Sequence, residues 1–310
     1  MAIRELASVR NAVPLAGYPA ALREMMSEVG PIWGQDMPKH RDRVMAAFGA
    51  LLKEAPRVPA LRDLVYGPHP RHVLDLYRPT RAAATAPILV FVHGGAFIRG
   101  NKDAPSGVYG NVPSWFARQG YVAINLEYRL APEAPFPGGA DDVARAIAWI
   151  AEHAEEFGGD PRRIFLLGHS AGGTHVASYV FDPALGYLGH GVRGIVLASA
   201  RLRADVLPIN PNANGVRAYF GEDASLYEAR SPITHAAESP MPTFITVAEY
   251  DNPLLDVYGA ELFYRMSVAR GRAPGFFRLS GHNHTSTMAH FNTGEEILGG
   301  EILAFFDSVG

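Results

Sequence analysis

The segment Arg163-Ile-Phe-Leu-Leu-Gly168-His-Ser170-Ala-Gly172-Gly-Thr-His-Val176 carries three signals in succession. A β-branched apolar run comes first and reads as a strand buried on both faces. A serine follows, with glycine two positions before and two after it. A helical pattern over Gly172–Phe181 comes last. A sharp strand-to-helix turn holds its serine in strained backbone geometry, and the residues at those two glycine positions must be tiny to avoid a clash. The turn presents the Ser170 hydroxyl at the start of a helix, where a developing negative charge is favoured. Ser170 as a plain helix N-cap is the bland alternative, and the partners described below weigh against it.

Outward from this segment the same alternation repeats. Strands are expected at Val73–Tyr77, Pro87–Val92, Tyr121–Leu126, Arg163–Leu167, Gly194–Ala198, Thr243–Val247 and Gly275–Leu279. Helical spacing appears from Asp141-Asp142 through Val143, Ala146, Ile147, Ile150 and Ala154, ended by Gly158-Gly159-Asp160-Pro161. Further helices are expected over Asp256–Arg270 and Glu295–Ser308. The pattern is α/β: a mostly parallel central sheet flanked by helices, forming one domain over residues 1–310. Residues from about 1 to 60 and from about 201 to 240 stand outside the alternation. A connection as long as the second is more often a lid than a plain loop. Together they are expected to form a helical cap over the carboxyl ends of the strands.

Composition excludes several classes. The chain has 310 residues, is 48% hydrophobic and carries a net charge of −3, so a packed core is affordable. No basic run suggests a nucleic-acid partner. Cysteine is absent, which removes disulfides, thiolate catalysis and cysteine metal sites. The first residues, Met1 to Arg10, lack the apolar core of a signal peptide, and no stretch approaches the ~20 apolar residues that span a bilayer. A soluble, cytoplasmic protein with no membrane partner is expected. Its oligomeric state is open, a homodimer included.

A second motif, Val92-His93-Gly94-Gly95-Ala96-Phe97, follows the strand ending at Val92. Glycines there let backbone N–H groups turn inward and approach a substrate closely. The N–H groups of Gly94, Gly95 and Ala96, with that of Ala171 after the serine, are the candidate oxyanion hole. A plain Gly-Gly turn is the structural alternative.

At this point the chain resembles the hormone-sensitive-lipase-like branch of microbial carboxylesterases, enzymes of the α/β-hydrolase fold. The shared signature reads here as His93-Gly-Gly-Ala96, Tyr128-Arg-Leu-Ala-Pro-Glu133, Phe136-Pro137, Asp141-Asp142 and Gly168-His-Ser-Ala-Gly-Gly173, within a likeness covering about residues 70–310. Ala96 departs from the third glycine of the family's H-G-G-G loop. Family members with H-G-G-x-W in this loop include arylformamidases, so the subfamily stays open. The triad order in this fold is Ser, Asp or Glu, then His. Ala248-Glu249-Tyr250-Asp251-Asn252-Pro253-Leu254 resembles the family's A-E-x-D-P-L segment with Asn252 inserted, which makes Asp251 the acid. Glu249 and Asp256 are its rivals, Asp256 being the better candidate for capping the next helix. In Ser280-Gly281-His282-Asn283-His284 the family's G-x-x-H pattern selects His284 as the base, with His282 a helper or surface residue. His290 lies too far along.

The remaining candidates have blander readings. His93 is expected to brace its turn through backbone hydrogen bonds, and Arg129 to make a buried salt bridge. His169 and His175 are either packed or exposed. Phe97, Tyr219 and Phe220 are the candidate substrate-binding residues, with Trp115 a further aromatic, although such side chains often simply pack. The resemblance implies a serine carboxylesterase that needs no cofactor or metal and acts through an acyl-enzyme on small, short-acyl or aryl esters. An arylformamidase-like amidase and a non-catalytic small-molecule binding protein on the same scaffold are the alternatives. Ser170, Asp251 and a histidine at the aligned position argue against the second.

Overall fold

In the strand Ala86–Val92, Ile88, Val90 and Val92 point to one side and Leu89 and Phe91 to the other, and all are fully buried. Strand periodicity places alternate residues on opposite faces, so this one strand feeds two cores. Each such side chain contributes about 1.5–3 kcal/mol relative to exposure. The computed structural model describes residues 14–80, 85–103, 107–187 and 189–310. The part of the expected cap before residue 14 lies outside the described residues, as does the N-terminal reading against a signal peptide.

The strands are β1 Ala60–Val65, β2 Val73–Tyr77, β3 Ala86–Val92, β4 Val122–Leu126, β5 Gly159–His169, β6 Val192–Ala198, β7 Thr243–Tyr250 and β8 Gly275–Asn283. They form one sheet in the order β1-β2-β4-β3-β5-β6-β7-β8. β2 pairs antiparallel with both β1 and β4, and every pairing from β4 to β8 is parallel. β1 was not anticipated. It is a sheet edge with mostly exposed residues and a register shift between Leu61 and Leu64, so it lacks the apolar alternation that marks a strand.

The helices are α1 Ala20–Val29, α2 Met37–Glu54, α3 Val108–Arg118, α4 Gly138–His153, α5 Ala171–Phe181, α6 Ala213–Phe220, α7 Tyr227–Arg230, α8 Pro232–His235, α9 Leu255–Arg270, α10 Ser286–Ala289 and α11 Ile297–Val309. α4, α5 and α9 cover one face of the sheet and α3 and α11 the other, with α1 and α2 packed into the core on the α3 and α11 side. Among the described residues no helix is long and apolar enough to cross a membrane.

α4 begins at Gly138, before Asp141, and Asp142 does not cap it. The fully buried Asp142 carboxylate instead accepts from the Arg129 backbone N–H at 2.7 Å and from its guanidinium at 2.6 Å, and meets His72 Nε2 at 3.0 Å. This is the salt bridge expected of Arg129, and it ties the Tyr128–Glu133 loop to the helix. Asp256 likewise lies in the first turn of α9 without capping it, the cap position being Leu254.

Candidate active site

The turn between β5 and α5 places Ser170 at φ 55°, ψ −119°. Its N–H donates to Ala198 O at 3.0 Å, which locks the turn to β6. The flanking glycine is required by space: a Cβ on Gly172 would come within 2.2 Å of Val92 O and 2.4 Å of His93 O. The serine turn therefore sits directly on the end of β3, where the Gly-Gly loop starts.

The loops after β7 and β8 bring two further residues to this turn. His284 Nε2 lies 3.1 Å from Ser170 Oγ, and His284 Nδ1 lies 2.8 Å from Asp251 Oδ1. The Asp251 carboxylate also accepts from the N–H groups of Asn252 at 2.8 Å and Ala248 at 3.1 Å, and its side chain is fully buried. Burial alone would push this carboxyl up, but the His284 hydrogen bond and charge outweigh it and hold it below the usual carboxylate range. Its rival Glu249 is engaged elsewhere, accepting from Gly281 N–H at 2.8 Å and pairing with Arg278.

His282 is neither at the surface nor in contact with Ser170. It is fully buried at the end of β8, with Nδ1 3.1 Å from Ser286 Oγ and Nε2 3.3 Å from Glu295 Oε1. Glu295 in turn accepts from Leu15 N–H at 3.3 Å, so this pair ties the base loop to the start of the described chain. His290 is buried beside it, with Nδ1 2.9 Å from Ser286 O.

His169, adjacent to the serine, takes a place that the sequence left undecided. Its ring lies 4.7 Å from that of His284, and its Nε2–H donates to His284 O at 3.1 Å. Burial, then the charge of His284, pushes it down to about 3, so it is a neutral prop beneath the base loop.

In the Gly-Gly loop, His93 braces its turn as expected: Nδ1 lies 2.8 Å from Gly94 O, and its own carbonyl accepts from Tyr128 Oη at 2.7 Å. Ala96 (φ 50°) and Phe97 (φ 70°) are both left-handed. That conformation costs a non-glycine residue about 1 kcal/mol, so the loop must be held from outside. Phe97, Tyr219 and Phe220 do the holding. They are not among the residues lining the cavity described below. All are buried, with Phe97 stacked on Tyr219 at 4.8 Å and edge-on to Phe220 at 5.5 Å. Trp115 is also core, packed against Phe116 and Phe291. The N–H of Gly94 faces the Tyr109 hydroxyl. For the N–H groups of Gly95, Ala96 and Ala171 no hydrogen-bond partner is found among the described residues.

α6 presses on this loop from above. A Cβ on Gly215 would come within 2.1 Å of Ala96 O. Gly215→Ala is therefore expected to displace the loop, lowering kcat about 10-fold and stability by about 1–3 kcal/mol. Steady-state kinetics beside thermal unfolding checks this, and unchanged kcat would show that the loop does not feel α6.

A cavity of about 800 Å³ opens above Ser170, His284 and Gly94–Ala96. Its apolar wall comes from Trp33, Met37 and Met45, with Val108 and Tyr109 below them. Sequence reasoning assigned none of these. Trp33 Nε1 donates to Asn252 Oδ1 at 2.9 Å, so the inserted Asn252 links the segment before α2 to the acid loop. Pro211 and Asn212, just before α6, border the cavity on another side. Among the described residues no group of three or more His, Cys, Asp or Glu could hold a metal ion.

A family model described as BD-FAE matches residues 74–180. The chain is 37% identical over 126 residues to the probable isoprenylcysteine alpha-carbonyl methylesterase ICMEL2 of Arabidopsis thaliana, covering 40% of this chain and 28% of that protein. It is 29% identical over 231 residues to Esterase LipI of Mycobacterium tuberculosis, covering 66% of this chain and 70% of that protein. The match thus spans less than a third of the plant relative's own length. A solved esterase of Pyrobaculum calidifontis superposes with a TM-score of 0.69 at 23% identity, covering 94% of this chain and 98% of that one. At that identity the likeness shows the α/β-hydrolase fold.

Proposed function

We propose that this chain, one of the hormone-sensitive-lipase-like esterases of the α/β-hydrolase fold, is a serine carboxylesterase for small esters. One observation carries the reading: the unbroken chain Asp251–His284–Ser170, with spacings of 2.8 and 3.1 Å, on the floor of an apolar cavity of about 800 Å³. Ser170 Oγ attacks the ester carbonyl carbon while His284 Nε2 takes its proton. Asp251 holds the Nδ1–H tautomer and stabilises the imidazolium without itself taking the proton. The oxyanion is received by the N–H groups of Gly95, Ala96 and Ala171. His284 then protonates the departing alkoxide, leaving the acyl group on Ser170 Oγ. Water attacks this ester, giving its proton to His284, and the acid and the free serine are restored. Residues 14–54 and 201–240 serve as the cap, and the first of these segments lines the cavity with Trp33, Met37 and Met45.

The test is hydrolysis of p-nitrophenyl acetate, butyrate and decanoate, with an N-formyl anilide alongside. Wild type is expected to turn over the short esters. His284→Ala should lower kcat by on the order of 10³-fold or more. His282→Ala should retain most of kcat but lose about 1–3 kcal/mol of stability, because Glu295 and Ser286 lose a buried partner. The opposite pattern would move the base to His282. Turnover of the anilide in preference to every ester would make the enzyme an amidase, and no turnover of any of them would end the hydrolase reading.

A further inference from the structure

We propose that the cavity contains an anion subsite, formed by Arg99 and Arg41, that selects esters carrying a carboxylate several bonds from the scissile carbonyl. The inference rests on the hydrolase reading and adds a substrate class to it. Both arginines line the cavity that holds Ser170 and His284. Arg99 ends the Gly-Gly loop, where its N–H donates to Gly95 O at 3.0 Å, so its backbone is fixed beside the candidate oxyanion donors. Its guanidinium has no carboxylate partner among the described residues, and Nη2 makes one hydrogen bond, to Asn212 Oδ1 at 3.3 Å. A guanidinium has five N–H donors in a planar fork that matches a carboxylate, so most of this group's capacity is unspent.

Arg41 comes from α2 and pairs with its neighbour Asp42 at 2.9 Å. Asp42 is the one carboxylate among the described cavity-lining residues, and it is the more exposed partner, 70% against 48% for Arg41. Tyr109, on the cavity wall, lies within range of both guanidinium charges. Burial pushes the Tyr109 phenol up to about 12, while the Gly94 N–H and then the charges of Arg99 and Arg41 draw it back, with no carboxylate acting against them. A chain of net charge −3 thus turns a positive face into its cavity. The apolar wall of Trp33, Met37 and Met45 would take the hydrocarbon between the ester and its distal charge.

The test uses two matched pairs. On the acid side, the p-nitrophenyl monoester of octanedioic acid is compared with p-nitrophenyl octanoate. On the alcohol side, 4-acetoxybenzoate is compared with 4-methylphenyl acetate. In at least one pair the anionic ester is expected to have the higher kcat/KM by about 10-fold, mainly through KM, with the ratio falling as salt is added. Arg99→Gln and Arg41→Gln should each lower that ratio, and Arg99→Lys should retain part of it. Ratios at or below one in both pairs, or a ratio that Arg99→Gln leaves unmoved, would overturn the subsite while the hydrolase reading stands. If the neutral esters too are untouched, the hydrolase reading fails and the subsite with it.

Discussion

On the proposed serine-hydrolase reading, replacing Ser170 by alanine or by glycine is expected to remove ester hydrolysis in both cases, with the glycine variant the more stable of the two. Both substitutions delete the Oγ that lies 3.1 Å from His284 Nε2, so each should lower kcat by about four to six orders of magnitude. They differ only by a Cβ at φ 55°, in a left-handed region where that carbon is strained. The turn is held there by the Ala198 carbonyl and by the crowding of Gly172 against the end of β3, so it cannot relax. Glycine occupies the same conformation without the clash, and should be favoured over alanine by about 1–2 kcal/mol, net of the entropy it gains when unfolded. Initial rates on p-nitrophenyl butyrate and urea unfolding of the paired variants decide both halves. Activity surviving in either variant would remove Ser170 as nucleophile. An alanine variant at least as stable as the glycine one would remove the strain.

Acidification below pH ~6.5 will destabilise the protein steeply, through histidines buried in the neutral form. Burial pushes His169 and His175 down to about 3 and His290 to about 4. In the unfolded chain these residues titrate near pH ~6.5. Between the two values the unfolded state binds more protons, so stability is complete above the unfolded pKa and is lost as pH falls toward the folded one. Each group can then contribute a slope of up to about 1.4 kcal/mol per pH unit, so three together approach about 4 kcal/mol per unit. Against a typical margin of about 5–15 kcal/mol, unfolding within two to four pH units is expected. Urea midpoints measured from pH 7.5 to 5 will show this. His175→Leu should flatten the slope by about a third, because neither ring nitrogen of His175 has a hydrogen-bond partner to lose among the described residues. A pH-independent midpoint over that range would mean these rings open to water or protonate in place.

The strands readable from the sequence are β2 through β7, mostly buried, and β8, whose alternate residues are at least partly buried, because burial on a sheet imposes an apolar pattern on the chain itself. β1 was invisible for the converse reason: it is an exposed edge, and its residues need only be compatible with pairing. Helix ends moved for a similar reason. Asp141 and Asp142 look like a helix start, but Asp142 is retained for Arg129 and His72, partners in two other parts of the chain.

The serine turn and the Gly-Gly loop could be read from the sequence because their chemistry is local. Steric demands within a few residues of Ser170 and Gly95 dictate small side chains at fixed spacing, and the order Ser, Asp, His then follows the strand ends. Which residues meet across the fold was decided by packing. His282 and His284 are equivalent as letters, but β8 runs on to Asn283 and turns His282 inward to Ser286 and Glu295, while His284 emerges toward Asp251 and Ser170. Phe97, Tyr219 and Phe220 read equally well as pocket or core, and the seating of α6 on the Gly-Gly loop made them core. Met37, Arg41 and Met45 share a helical face by spacing alone, yet nothing in α2 says what that face meets. A side chain's periodicity is written in its own segment. Its partner lies in another segment, 33 residues away for Asp251 and His284 and 114 for Ser170 and His284, and only the folded backbone brings them together.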